Sequence, residues 1–268
     1  MISSKENALE RKIAAFIPAE SPCHALMLAL LADRELHEMQ EHANTVSIRR
    51  LGYNDHGPVH MRQVAYNAIR MLSLLRDAGI KTNLEAEGAG SYDDSLCAVF
   101  LAAFLHDLGM TIGRDGHEHL SCSLALPIID RALAGVVPDD LHRRVVIRAT
   151  ALEGIVGHMG SQRIHSLEAG AILVADGCDM TKGRARIPMS LNTTPRIGDI
   201  HKYSANSIEK VDIHAGTEKP ILIDVTMSGD VGFFQIEEVL IPKIDSSPAK
   251  PHVELYAGVV DQPRKRYL

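Results

Sequence analysis

The 268-residue chain has no tryptophan, only six tyrosines and five phenylalanines, and no internal repeat or low-complexity tract. Ordinary globular packing is therefore expected, as one sizeable core with at most a small appendage. Its four cysteines, Cys23, Cys97, Cys122 and Cys178, include no C-x-x-C pair. Cys97, Cys122 and Cys178 fall in apolar helical runs, which reads as buried thiols in a reducing cytoplasm rather than disulfides. Positive charge is not in excess. The formal net charge of −6 and a pI near 6.1 argue against nucleic acid or an anionic membrane as the main partner. Apolar runs such as Ala98 to Leu105 are too short to span a bilayer, and Met1 to Lys12 lacks the apolar segment of a signal peptide, so a cytoplasmic protein is expected. A P-loop, a G-x-G-x-x-G after a strand and a G-x-S-x-G elbow are all missing, which excludes the chemistries built on them.

What the chain does have is helical periodicity over roughly its first 200 residues. One long helix is predicted from Pro22 to about Arg50. The next opens at Gly57-Pro58, with proline suited to the first turn, and stops at Gly79. Glu85 to Asp94 reads as a loop, followed by a helix from about Ser95 that ends in His106-Asp107-Leu108-Gly109. Further helices carry His117, then His158 in register with Ile147, Ala151 and Gly154, then Asp176 in register with Ala169, Ile172 and Leu173. Past about residue 185 the character changes. Thr193 to Gly198 reads as connecting loop, Ile208 to His214, Ile221 to Met227 and Val253 to Val260 as strands, and Phe233 to Ile244 as a helix. The fold expected is mainly α, a helical domain over 1–190 followed by a small β-β-α-β C-terminal α+β unit over 200–268, packed on the helices or used in a homodimer.

Six polar residues interrupt these apolar stripes where a leucine or valine is expected: His60, His106, Asp107, His117, His158 and Asp176. Singly each histidine reads as a satisfied core residue. Aspartate is rarely buried without a partner, and an unpaired buried carboxylate is very costly. Six such groups converging inside a helical domain imply a shared cation. Neutral imidazole and carboxylate oxygen suit a divalent ion, Mn, Fe, Co, Ni, Zn or Mg, as one ion or two. Asp107 has two oxygens, enough to bridge a pair. Arg114, Arg163, Lys182, Arg184 and Arg186 are candidate anion binders near the site, with Lys182 and Arg184 preferred, since cations of this kind hold phosphate oxygens. Asp179 is a candidate for orienting a ligand histidine.

The order His60, His106-Asp107, Asp176 resembles the H…HD…D signature of the HD superfamily of metal-dependent phosphohydrolases, and His117 and His158 resemble the additional ligands of its six-ligand, dinuclear variant. The resemblance covers roughly residues 55 to 185 and includes H-x-x-x-V at His60, H-D-L-G at His106, H-E-x-x-S at His117 and A-D-x-x-D from Ala175. It implies a helical HD fold with the metal site in a cleft, a water activated by the metal, with Asp107, Lys182 and Arg184 assisting, and a small phosphate ester or nucleotide as substrate. The G-Y-P motif of the cyclic-dinucleotide branch is missing, and the lysine that often follows H-D-x-G is replaced by Met110. Two other readings stand beside the hydrolase: a non-catalytic nucleotide or metal sensor, and a di-iron oxygenase using the same ligands. Loss of Asp107 is expected to abolish metal loading and to relieve carboxylate repulsion in the empty protein.

Overall fold

The computed structural model describes residues 2–184 and 200–268. It is mainly helical with a small mixed sheet at the C-terminal end. The helices are α1 (Ser4–Ala14), α2 (Pro22–Leu31), α3 (Arg34–Thr45), α4 (Pro58–Asp77), the single turn α5 (Asn83–Ala86), α6 (Tyr92–Leu105), α7 (His117–Val136), α8 (Leu141–Gly157) and α9 (Leu167–Cys178). Strands β1 (Ile208–Ala215), β2 (Ile221–Met227), β3 (Val253–Val259) and β4 (Lys265–Arg266) follow the short helix Ile200–Asn206.

Helix α6 is the hub. Every residue from Asp94 to Leu105 is buried. It packs on α4, α8, α2 and α9. With its following turn, Tyr92–Thr111, it is long and apolar enough to cross a membrane, but 94% of that window is buried inside the protein. A helix apolar on all sides fits the centre of a bundle equally well.

Local capping explains where the helices differ from expectation. The stretch predicted as one helix from Pro22 to Arg50 breaks at Asp33, whose carboxylate accepts the Leu36 N–H at 3.1 Å and starts α3 afresh. It then widens into a π-type turn, Val46–Leu51, closed by Gly52 in the left-handed region. Helix α6 begins before Ser95, because Ser91 and Asp94 form a capping box. Helix α8 begins after Pro138-Asp139, capped by Asp140, which accepts from Arg143 N at 2.9 Å.

In the C-terminal unit β2 lies antiparallel to β1 and parallel to β3, with partners running from Ile221↔Val253 to Met227↔Val259. Parallel neighbours need a crossover. The segment predicted as one helix over Phe233 to Ile244 supplies it, but as Phe233–Gln235, a π-type stretch Ile236–Leu240 and a final helix Ile241–Asp245. Pro242, which lacks an N–H, sits in the first turn of that last piece. The edge strand β4 is an addition to the β-β-α-β expectation. Alternate residues of β2, Ile221, Ile223, Val225 and Met227, belong to the same hydrophobic cluster as the helices, and α4 packs against β1 and β2. The loop expected from Thr193 to Gly198 lies outside the described residues.

Candidate metal centre

Helix ends build the site. His106 caps the C-terminus of α6 and His158 that of α8. The last carbonyls of a helix lack partners within it, and both rings use one. His106 Nδ1 donates to Ala103 O at 2.9 Å and His158 Nδ1 to Ile155 O at 2.7 Å. His117 opens α7 after Gly116 and donates from Nδ1 to Arg114 O at 2.9 Å. His60, in the first turn of α4, meets Asp179 Oδ2 with its Nδ1 at 2.7 Å, the orienting role considered for Asp179. With each Nδ1 proton so committed, all four Nε2 atoms turn inward as ligand atoms.

Those Nε2 atoms meet in two pairs, His60 with His106 and His117 with His158, each at 3.1 Å. Asp107 stands between the pairs. Its Oδ2 lies 3.2 Å from His60 Nε2 and 3.3 Å from His106 Nε2, and its Oδ1 lies 3.2 Å from His117 Nε2 and 3.4 Å from His158 Nε2. Asp176 Oδ1 is 3.2 Å from His60 Nε2. All six residues are buried. Protons do not satisfy the cluster. Were every ring neutral, with its proton on Nδ1, lone pairs would face each other across both imidazole pairs, and Asp107 Oδ2 is buried among them. Two groups, His60–His106–Asp107 and Asp107–His117–His158, are positioned to bind a metal ion and share the one carboxylate. The donors are imidazole and carboxylate, with no thiolate, and they fit a divalent cation of the Mn-to-Zn series.

Charge balance without metal follows from the same geometry. Burial opposes a charged His60, and Arg184 adds to that, yet hydrogen bonds to Asp107, Asp176 and Asp179 push its pKa up to about 10. Burial pulls His158 down to about 4 despite Asp107. Burial also opposes ionisation of Asp107 and Asp176, but His106 beside the first and Lys243 and His60 beside the second hold both well below the usual carboxylate range. A raised histidine pKa contributes stability that is full below the unfolded value near about 6.5 and is lost as pH climbs toward the folded value. The metal-free protein is therefore expected to lose stability between about pH 6.5 and about 10 as His60 deprotonates. A cation must displace that same proton. Metal uptake at pH 7 is expected to release about one proton per chain and to tighten as pH rises. Calorimetric titration in two buffers of different ionisation enthalpy reads the release; uptake with no proton released would show that His60 is already neutral.

Around the centre, Arg184, one of the candidate anion binders, lies beside His60 and Asp176. Its Nη2 is 3.1 Å from His60 Nε2 and its Nη1 3.8 Å from Asp176 Oδ1, while Nε and Nη1 donate to the carbonyls of Asp55 and Asp179 at 2.7 and 3.0 Å. Lys182, its expected companion, is not brought into the cluster. Its ammonium pairs with Glu209 of β1 at the surface; residues 182–184 are helical, and residues two apart on a helix do not share a face. Arg163 is exposed. Arg114 lies 3.5 Å from His56 Nε2 at the rim, and Arg186 lies outside the described residues. Met110 is fully buried. His106, Asp107 and His158 lie at or just past helix ends, where spare carbonyls are.

Three neighbours are not among the residues the sequence singles out as site candidates, although Glu118 stands in the H-E-x-x-S motif. Lys243, from the helix Ile241–Asp245, forms an ion pair with Asp176 and donates to His158 O at 2.8 Å. His56 is buried and held through Nδ1 by Asn54 O and Ser47 Oγ at 2.7 and 2.8 Å. Glu118 Oε2 lies 3.4 Å from His117 Nδ1. A lysine inside I-P-K-I and a histidine four residues before His60 were the available hints.

The chain is similar to an uncharacterized protein of Methanocaldococcus jannaschii, MJ1020, at 41% identity over 230 residues, 86% of each chain. No family model matches it, and no solved structure does.

Proposed function

This chain belongs to the family of the archaeal protein MJ1020, and from the site its helices build we propose that it is a metal-dependent phosphohydrolase of the HD type, acting on a small phosphate ester or nucleotide. The observation that carries this reading is the Asp107 carboxylate shared by two imidazole pairs, in the ligand order of the six-ligand HD variant. When bound there, one or two divalent ions would supply Lewis acidity toward a phosphoryl oxygen and bring water's pKa near neutral.

The chain's own residues do the rest. Asp107 presents one oxygen to each imidazole pair. Asp179, two helix-end carbonyls and the loop carbonyl of Arg114 hold the rings in the ligand tautomer, an arrangement that in metal sites is worth about 10–100-fold in affinity. Arg184 carries a guanidinium to the mouth of the site, where it can pair with a phosphoryl oxygen. The buried walls around the cluster keep competing water away from these charges.

Elemental analysis of the purified protein tests the first half, with one or two transition-metal ions per chain expected. A panel of phosphate mono- and diesters with added Mn tests the second. Silence across the panel together with tight nucleotide binding would favour the sensor, and an iron-coloured protein that consumes oxygen would favour the oxygenase. Arg184→Ala is expected to raise KM about tenfold at unchanged metal content. Metal lost along with Arg184 would place that residue in the ligand scaffold instead.

A further inference from the structure

Lys243 reaches the metal centre from the crossover of the C-terminal sheet, across Gly177 of α9. A Cβ at Gly177 would lie 3.1 Å from Lys243 Cδ and 3.3 Å from Leu240 Cδ1, so the glycine leaves the channel in which the lysine stem runs. An ammonium has three donors; Lys243 directs one to Asp176 and one to His158 O. Beside it opens a cavity of about 150 Å³ lined by Asn54, Asp176, Asp179, Arg184 and Lys243 among others. Asn54 Oδ1 is buried and accepts no hydrogen bond; a half-turn of that amide presents its N–H donors instead.

We propose that this cavity is the subsite for the terminal, dianionic phosphate of a phosphomonoester, with Arg184 and Lys243 as its cationic walls and Asn54 as a neutral donor. The proposal rests on the phosphohydrolase reading and narrows its substrate class. Size favours a terminal group; Asp176 and Asp179 offset the charges of Arg184 and Lys243 in the lining, so a dianion would draw its charge balance from a cation held beside Asp176. At about 30 Å³ per water-sized unit the cavity has room for a phosphate and little more, so the remainder of the substrate must project outward. A diester needs two exits and carries one negative charge, whereas a monoester phosphate carries about −1.5 to −2 at neutral pH. The cavity also shares Asp176 with the first imidazole pair, which sets the phosphate beside that half of the centre.

The test is calorimetric titration of the full-length, manganese-loaded protein with inorganic phosphate, methyl phosphate and dimethyl phosphate, with metal per chain measured on the same samples. Orthophosphate and methyl phosphate are expected to bind, dimethyl phosphate at least about tenfold more weakly. Lys243→Gln is expected to weaken methyl phosphate binding by about tenfold or more at unchanged metal content. Gly177→Ala, which crowds the lysine stem without removing its charge, is expected to shift binding in the same direction by less. Equal binding of the diester, or unaltered phosphate binding in Lys243→Gln, overturns the subsite. Metal loss in Lys243→Gln overturns it too, because Lys243 would then serve only as counter-ion to Asp176. The two readings fail separately: phosphate binding with no turnover of any ester sinks the hydrolase and leaves the subsite, and ester turnover indifferent to Lys243→Gln does the reverse.

Discussion

Asp107→Ala is expected to yield protein that purifies without metal and turns over no phosphate ester, the largest functional loss any single substitution here should cause. The reason is its double duty. Loss of one residue that merely orients a ligand costs about 10–100-fold in metal affinity. Asp107 touches all four imidazoles and belongs to both candidate groups, so a loss above about 100-fold is expected for each. The metal-free variant supplies a second readout. From sequence alone, removing a carboxylate from a cluster of acids should relieve repulsion. The structure overturns that expectation, because the nearest neighbours of Asp107 are imidazoles, with His60 held protonated. Asp107→Ala should therefore destabilise the empty protein, by about 1–3 kcal/mol, since His60 keeps Asp179 and Asp176 as partners. Urea unfolding in the presence of a chelator measures this, with Asp107→Asn as the shape-preserving control. Full metal content in Asp107→Ala would remove the basis of the proposed centre.

Gly109→Ala is expected to be the most damaging substitution of a residue outside the candidate ligand set. A Cβ at Gly109 would lie 2.1 Å from His117 O and 2.8 Å from Ser121 N. Both are backbone atoms of α7, so no rotamer change gives relief. The Gly109 N–H also donates to Ser121 Oγ at 2.8 Å, locking the turn after Asp107 to the helix that begins with His117. Overpacking against side chains costs about 1–3 kcal/mol, and here the whole N-terminus of α7 must move, so a loss above about 3 kcal/mol is expected. Whatever fraction folds should lose the His117–His158 half of the centre before the His60–His106 half. Gly113→Ala, in the same loop with nothing within 4 Å of the added carbon, is the control and should unfold like wild type. Equal midpoints for the two variants in urea would show that the close approach is not what makes Gly109 necessary.

The glycine of H-D-L-G illustrates how motif and packing divide the information. The letters His106, Asp107 and Gly109 are legible as a group, and so is a helix ending there. That Gly109 is required by α7, and Ser121 by Gly109, emerges only when the two helices are seen in contact. Alternation and turn residues mark the strands of the C-terminal unit, and the three expected strands stand within a residue of their observed bounds. The break at Asp33 is not legible from periodicity, although aspartate is a strong cap, because the apolar period runs on across it.

Spacing and residue type in the chain are enough to mark six residues that the fold brings into one buried cluster, because a buried carboxylate or imidazole has few neutral explanations and the helical period that exposes it is a local property. Pairing is not. Lys243 meets Asp176 across 67 positions while Lys182, six positions from Asp176, turns away to Glu209. Which cation faces a buried anion depends on how helix and crossover pack, a long-range outcome of burying apolar surface that no local pattern of charges encodes.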